Sequence, residues 1–221
     1  MALDPVLRAR HGDCWSTILA LVSADGSAAH GWARHLTTSR ASTRDLADAA
    51  HTLCALHGRH PGVIDHAAEH DRQSIAREWL IEAAAAFAVE RSWLASVTAA
   101  AGPLPSTPGQ AESESAITAQ HHALEMLAQS DRSGCAVGAS VALVLDWAIV
   151  RAVLDNTAER AGLRQADSAL PVENETAIIV SVASENPAIE RAMAFGAQQL
   201  LAQHRGLWDL LEARAGAREH L

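Results

Sequence analysis

The stretch GCAVGASVALVLDWAIV, residues 134–150, decides the fold of this chain of 221 residues. It contains 17 residues and a single charge, Asp146. A membrane-spanning helix needs about 20 apolar residues, and the charged residues Arg132 and Arg151 flank this run closely. The stretch therefore predicts a central helix over residues 134–161 that its neighbours bury on all sides.

The rest of the sequence also favours helices. Hydrophobic residues make up 49% of the chain, which has no Tyr and two Phe. Its many Ala and Leu residues are strong helix formers, whereas the residues that favour strands are scarce. Apolar residues recur at helical spacing along four long segments: 72–101, 113–129, 134–161 and 187–215. We expect an all-α fold, an up-and-down bundle of four long helices, ferritin-like in style, with an additional N-terminal helical layer.

The domain organisation follows from the loops. We expect one domain over residues 1–221, with residues 1–12 as a loose arm. Residues 102–112, which include the Pro-rich GPLPSTPGQ, and residues 163–171 are expected to be surface loops. Residues 176–183, TAIIVSVA, have the composition of a strand, but a lone strand has no partner. We therefore expect a helix there.

Charge and composition exclude several kinds of partner. The net charge is −9 and the basic residues, all Arg, are scattered along the chain, so we expect neither nucleic acid nor a membrane as a partner. Without Lys, the chain cannot form the Schiff base that holds pyridoxal phosphate. The three separated cysteines and the absence of an apolar N-terminal segment predict a reduced, cytoplasmic protein.

Histidines are the main chemical feature, and one group has a recognisable spacing. His66, Glu69 and His70 resemble the HxxEH signature of the inverzincin metalloproteases. The resemblance implies that the two histidines bind zinc and that Glu69 is the general base. Those proteases contain sheet, which this sequence does not predict.

A second group of histidines adjoins a glutamate. The stretch His121-His122-Ala-Leu-Glu125 is loosely similar to the His-His-x-x-Glu stretch of hemerythrin-like bundles. In reverse order it is also similar to the Glu-x-x-His motif of ferritin-like di-iron proteins. The resemblance implies a divalent transition metal bound by these side chains together with carboxylates from other helices. The candidate ligands are His121, His122, Glu125, Glu82, Glu90 and Asp146.

Asp146 is the third chemical feature. A carboxylate in an apolar helix is costly to bury unless it is paired or hydrogen-bonded, and Arg91 and Arg77 are the partners we expect from another helix. Six tryptophans are available for core packing. The alternative is a small-molecule pocket lined by Asp146 and three of them, Trp79, Trp93 and Trp147.

As a whole, the chain is similar to uncharacterised all-helical bacterial proteins of unknown function, a resemblance of overall style that transfers no site. We expect a non-catalytic protein of unknown function that self-associates, as a dimer, through Ala-rich faces. Three alternatives stay open: the metal-binding bundle, the Trp-lined pocket for a small-molecule ligand, and a helix-turn-helix regulator over residues 43–66. The last requires its second helix to be exposed.

Overall fold

The computed structural model describes the backbone of residues 5–70 and 76–219, and the side chains of residues 14–70 and 76–219. Within these residues the fold is all-α, as predicted, with nine α-helices, a short 3-10 turn at Ser27–Ala29 and no strand. The helices are α1 (Pro5–Asp25), α2 (Gly31–Leu36), α3 (Thr43–His57), α4 (Val63–His70), α5 (Arg77–Ala100), α6 (Gln110–Ala128), α7 (Cys135–Arg160), α8 (Glu173–Ala183) and α9 (Pro187–Glu219).

Helix α7 is the centre of the fold, because each of the other eight helices contacts it. The most extensive contact is with α9, and glycine makes it close. A Cβ atom on Gly138 would lie 2.0 Å from the carbonyl oxygen of Met193, and one on Gly196 would lie 2.0 Å from that of Cys135. The two helix backbones therefore approach each other to a distance that any larger residue would prevent.

The apolar character of α7 is that of a core helix. It is the one helix of the described residues that is long and apolar enough to cross a membrane, but 78% of its most apolar window is buried by the rest of the chain. This agrees with the prediction of a central buried helix and is consistent with a soluble protein.

Several helix boundaries differ from those expected. Helix α1 begins at Pro5, inside the stretch expected to be an arm. Helix α6 begins at Gln110 and not at Ser113, because Gly109 adopts a left-handed conformation (φ 71°) and turns the chain into the helix earlier. Ser113 therefore lies within the first turn of α6, where its hydroxyl donates to the Gly109 carbonyl at 2.9 Å.

The segments 72–101 and 187–215 contain long helices, α5 and α9, as expected from their apolar spacing. Helix α5 is described from Arg77, so the expected start at residue 72 lies outside the described residues. Helix α9 runs from Pro187 to Glu219 and continues through Gly206, beyond the expected end at residue 215. Residues 176–183 form a helix, α8, as predicted. The finer prediction, a ferritin-like arrangement of four long helices, stays a prediction.

A buried ionic cluster fixes the end of α9. Asp48 of α3 is fully buried and accepts hydrogen bonds from Arg214 at 2.8 Å and from Arg218 at 2.5 Å. Arg218 also binds Asp45 at 2.6 Å and donates to the hydroxyl of Thr107 at 2.9 Å. The last turns of α9 are thereby tied to α3 and to the loop before α6.

Candidate functional site

Asp146, in the middle of α7, is the centre of a second buried polar cluster. Only 3% of its surface is exposed. Its Oδ1 accepts a hydrogen bond from the backbone N–H of Ser27 at 2.7 Å. Its Oδ2 accepts one from the Ser27 hydroxyl and one from Nδ1 of His204 in α9, the latter at 2.6 Å. The carboxylate thus has three donors and no arginine.

The partners expected for Asp146 are therefore wrong. Arg91 of α5 binds Asp65 of α4, with Nη1 and Oδ2 2.7 Å apart. Arg77 is exposed at the start of α5. An arginine is not needed because polar hydrogens from the Ser27–Ala29 turn and from α9 already satisfy the carboxylate.

These donors decide the charge of Asp146. Burial raises the pKa of the carboxyl group, but the hydrogen bond and charge of His204 and the two hydrogen bonds from Ser27 outweigh it. The pKa consequently lies below its ordinary value. Asp146 is an ionised carboxylate at neutral pH.

Two neighbours fix the orientation of Ser27. The indole Nε1 of Trp208, which can only donate, gives its hydrogen to the Ser27 hydroxyl oxygen at 2.8 Å, so the hydroxyl hydrogen is directed to Asp146. Gly26 leaves room for this contact, because a Cβ atom there would lie 2.7 Å from Oδ1 of Asp146 and 2.3 Å from the carbonyl oxygen of Val22.

On its other side, His204 contacts a second histidine. Its Nε2 lies 3.0 Å from Nε2 of His57, the last residue of α3. His57 is buried, and its ring packs edge-on against Trp147 at 5.5 Å and against Phe87 at 6.4 Å between ring centroids. We call the chain of four side chains Ser27, Asp146, His204 and His57 the relay.

The charge on Asp146 sets which hydrogen bonds a neutral His204 makes. In that form His204 gives its Nδ1 hydrogen to the carboxylate, and its Nε2 carries a lone pair. With His204 in this tautomer, His57 donates its Nε2 hydrogen to His204, and its own Nδ1 is unprotonated. Burial, followed by repulsion from His204 and His121, lowers the pKa of His57 well below its ordinary value and keeps this ring neutral.

His57 is also the point at which the relay reaches a cleft. The cleft holds about 360 Å³ of space, part of it open to solvent, and its enclosed part accommodates about one water molecule. Residues of α3 to α7 and of the turn between α3 and α4 line it: Leu56, His57, Arg59, Pro61, Gly62, Val63, His66, Phe87, His121, Leu124, Glu125 and Leu143. We call this space the His57 cleft.

A comparison with protein families covers the relay and the cleft together. A family model matches residues 22–219. The chain belongs to the family described as "Family of unknown function (DUF6975)". No curated protein and no solved structure matches the chain. The prediction of an unknown function is thus confirmed, and the DUF6975 match provides no activity from which the site could be interpreted.

In this DUF6975 chain, the residues expected to bind a metal are only partly brought together. Nδ1 of His121 lies 3.6 Å from Oε1 of Glu125, and Nδ1 of His122 lies 3.7 Å from Oε2. His121 and Glu125 line the His57 cleft, whereas His122 is exposed outside it. Asp146 reaches the cleft only through His204 and His57. Glu82 is exposed on α5 and does not line the cleft.

The residues expected to form a tryptophan-lined pocket lie apart from the cleft, since none of the three indoles lines it. Nε1 of Trp147 donates to the fully buried Glu90 at 2.9 Å, and Nε1 of Trp93 donates to Asp155 at 3.2 Å. Trp79 is buried and its Nε1 has no hydrogen-bond partner among the described residues. Trp147 serves the site by packing against His57.

The motif His66-Glu69-His70 is divided by the fold. His66 is half-buried and lines the cleft, whereas Glu69 and His70 are exposed. Nδ1 of His70 lies 2.9 Å from the carbonyl oxygen of His66. The helix-turn-helix alternative is contradicted, because α4, its second helix, buries much of its surface in the core through Val63, Ile64, Asp65 and Ala67.

One other group could be read as a metal site. Among the side chains that the structure describes, only His30, Asp209 and Glu212 bring three ligand atoms within 4.8 Å of one another. Nδ1 of His30 accepts a hydrogen bond from the backbone N–H of Trp32 at 3.1 Å, and its Nε2 lies 2.9 Å from Asp209. A neutral ring that accepts at Nδ1 carries its proton on Nε2, where a metal would need the lone pair. This group is better explained as a helix cap that also pairs with Asp209.

Sequence reasoning missed three of the four relay residues as site residues. His57 and His204 have no ligand-type spacing, since 147 residues separate them, and Ser27 lies in a turn without a motif. The one usable signal was Asp146 itself, a charge within an apolar run, which required a polar partner without naming it.

Proposed function

We propose that this protein binds a small molecule in the His57 cleft and that the unprotonated Nδ1 of His57 accepts a hydrogen bond from it. The observation that carries the proposal is the relay, which begins at Ser27 and ends at the cleft. An imidazole has two ring nitrogens, and Nε2 of His57 is already hydrogen-bonded to His204. Nδ1 is therefore the atom available to a ligand.

The energetics of burial support a functional role for the relay. Removing an ionised carboxylate from water costs several kcal/mol even after the protein relaxes around it, and apolar replacements of buried ionic groups are often neutral or stabilising. A carboxylate with three donors fixes the tautomer of His204, and through it the tautomer of His57. Apolar residues in its place could not fix these tautomers.

The lining of the cleft supports the same proposal. Ligand pockets are mostly apolar, with a small number of placed polar groups. Here Leu56, Phe87, Leu124 and Leu143 supply apolar surface. The titratable lining residues are His57, Arg59, His66, His121 and Glu125. A buried titratable residue that lines a cleft and has a displaced pKa is characteristic of functional sites.

A fragment screen observed by NMR tests this proposal. We expect small hydrogen-bond donors to shift the ring signals of His57 and His121 and to leave those of His122 unchanged. His57→Phe keeps a ring against Trp147 and Phe87 but removes Nδ1, so it should abolish the binding. His122→Ala, on the outer face of α6, is the matched control and should bind normally. A library without any binder, or binding that survives His57→Phe, would contradict the proposal.

A second candidate function is the divalent transition metal site expected from the sequence. The observation in its favour is that His121 and Glu125 line the same cleft as His57 and His66. Neutral imidazole is a metal ligand, and a ligating histidine commonly donates the hydrogen on its other ring nitrogen to a supporting group, as His57 does to His204 in the tautomer given above. Elemental analysis of the purified protein should then find stoichiometric metal that His121→Ala removes. Metal-free protein that stays folded would contradict this candidate.

The remaining expectations concern catalysis, location and oligomeric state. We propose that it is a non-catalytic cytoplasmic dimer. Exposed apolar side chains, among them Met126 and Phe195 beside the groove between α6 and α9, support self-association. Light scattering coupled to size exclusion should give twice the mass of the chain for the wild type and the mass of one chain for Met126→Glu. A wild-type monomer at micromolar concentration would contradict the dimer.

A further inference from the structure

We infer that the ligand of the His57 cleft is a weakly acidic, largely apolar hydroxyl compound of the phenol or enol type, and that the relay takes its proton. This inference rests on the proposed function and specifies its ligand. It is carried by the geometry of two neighbouring histidines, with their Nε2 atoms 3.0 Å apart, in front of a buried carboxylate.

The polar atom and the apolar lining of the cleft define a ligand with a polar and an apolar part. Nδ1 of His57 presents a lone pair and therefore requires a hydrogen donor, such as a hydroxyl group. Around it, Leu56, Phe87, Leu124 and Leu143 offer an apolar surface, which suits a hydrocarbon or aromatic body. The enclosed part of the cleft has room for about one water molecule, so it suits the hydroxyl group, and the body of the ligand would lie in the part that is open to solvent.

The proton can move along the relay without any further reactant. The O–H bond of the ligand breaks and an N–H bond forms at Nδ1 of His57. The Nε2–H bond of His57 then breaks as an N–H bond forms at Nε2 of His204. The products are the bound oxyanion, neutral His57 in its other tautomer, and an imidazolium at His204. One proton has left the ligand, and the total charge of the site is unchanged.

Asp146 is the reason why the proton comes to rest at His204. The imidazolium would lie with its Nδ1 2.6 Å from the carboxylate of Asp146, an ion pair whose members are both almost fully buried. His57 is a poor place for the charge, because burial and the two neighbouring histidines lower its pKa. The relay therefore separates the proton from the oxyanion by the width of one imidazole ring.

The groups that face the cleft favour the oxyanion. His121, His66 and Arg59 line it, and Glu125 is the only carboxylate among the lining residues. Glu125 lies next to the imidazole of His121, with 3.6 Å between Oε1 and Nδ1. With one carboxylate against one guanidinium and three imidazoles, the lining suits an acidic hydroxyl better than a basic amine.

The test uses 4-nitrophenol, whose neutral and ionised forms absorb at different wavelengths. It is titrated with the full-length protein at a pH below its own pKa, where the free probe is mostly neutral. We expect the bound probe to be mostly ionised, which corresponds to a shift of its pKa by about one unit or more and to at least a tenfold change in its ionisation equilibrium. Asp146→Asn should bind the probe in its neutral form, and His122→Ala should behave as the wild type.

Two further measurements keep the test decisive where Asp146→Asn unfolds. Ser27→Ala removes one donor to Asp146 and should reduce the ionised fraction of the bound probe without abolishing binding. A series of phenols of graded acidity, bound to the wild type alone, should show every member more ionised in the cleft than in water. Neutral binding of the whole series would overturn the inference and leave the proposed function standing. Failure of every phenol to bind, while other fragments still shift the His57 signal, would overturn the ligand class alone.

Discussion

Replacing Asp146 by Asn tests the relay through the stability of the fold. Asparagine has nearly the same shape as aspartate, so its Oδ1 can still accept the backbone N–H of Ser27. Its amide group would instead point hydrogens at the Ser27 hydroxyl and at Nδ1 of His204, which both donate in the wild type. His204 must then change its tautomer or lose its partner.

The magnitude follows from these contacts. A hydrogen bond to a charged group contributes about 1.5–3 kcal/mol, and two of the three at Asp146 are lost or reversed. Breaking a buried ion pair costs about 3–5 kcal/mol when a charge is left behind, but this larger cost does not apply here because His204 is neutral in this arrangement. We therefore expect Asp146→Asn to lower the free energy of unfolding by about 3 kcal/mol, out of a typical total of about 5–15 kcal/mol.

Urea denaturation at several pH values measures this change. Because the pKa of Asp146 is lowered in the folded protein, its stabilising contribution is present above the pKa of an unfolded aspartate, about 3.9, and is lost as the pH falls through the folded value. The difference between wild type and Asp146→Asn should thus be largest near neutral pH and shrink in acid. Asp209→Asn removes an exposed carboxylate that pairs with His30 and should cost less than about 1 kcal/mol. A loss for Asp146→Asn no larger than that of Asp209→Asn, or one independent of pH, would refute the reasoning.

Three further predictions concern the packing and the charges. Gly138→Ala should lower the free energy of unfolding, measured in urea, by about 3 kcal/mol or more, because its Cβ would overlap the Met193 carbonyl. Gly216 has open space around it, so Gly216→Ala should raise the free energy of unfolding by up to about 1 kcal/mol. Equal effects would contradict the close contact of α7 and α9. Asp48→Ala should lower the free energy of unfolding by about 3–5 kcal/mol, because it leaves Arg214 and Arg218 buried without their shared carboxylate, and a loss below about 1 kcal/mol would show that the cluster is dispensable. The pKa of His57 is lowered in the folded protein, so the unfolded chain binds an extra proton below about pH 6.5 and the free energy of unfolding should fall as the pH drops through that value. His57→Phe should flatten this part of the pH profile. An unchanged profile would contradict the burial of a neutral His57.

The sequence was sufficient for the fold class because the signals for it are local. Ala-rich segments with apolar residues at helical spacing predict helices from propensity and periodicity alone, and α8 was recognised because a single strand has no partner. The burial of residues 134–150 could be read from one charge in 17 residues. The start of α6 could not, because the left-handed turn at Gly109 is decided by the loop that precedes it.

The relay could not be predicted because it depends on tertiary contacts. Asp146 lies 119 residues from Ser27 and 58 from His204, and His204 lies 147 from His57. Arginine was the expected partner of Asp146 because charge pairs with charge in the absence of a structure. Ser27 and His204 satisfy the carboxylate instead, since the Ser27–Ala29 turn and α9 pack against the same part of α7. The periodic patterns of single helices hold no information about which helices meet.

The central claim, an unprotonated Nδ1 on His57, is tested most directly by the nitrogen chemical shifts of histidine rings in protein labelled with ¹⁵N, with His57 and His204 assigned from His57→Phe. At neutral pH we expect His204 to be protonated at Nδ1 and His57 to be protonated at Nε2, with Nδ1 of His57 showing the shift of a lone-pair nitrogen. In Asp146→Asn both tautomers should reverse. A wild-type His57 that carries its proton on Nδ1, or one that is doubly protonated at neutral pH, would contradict the account.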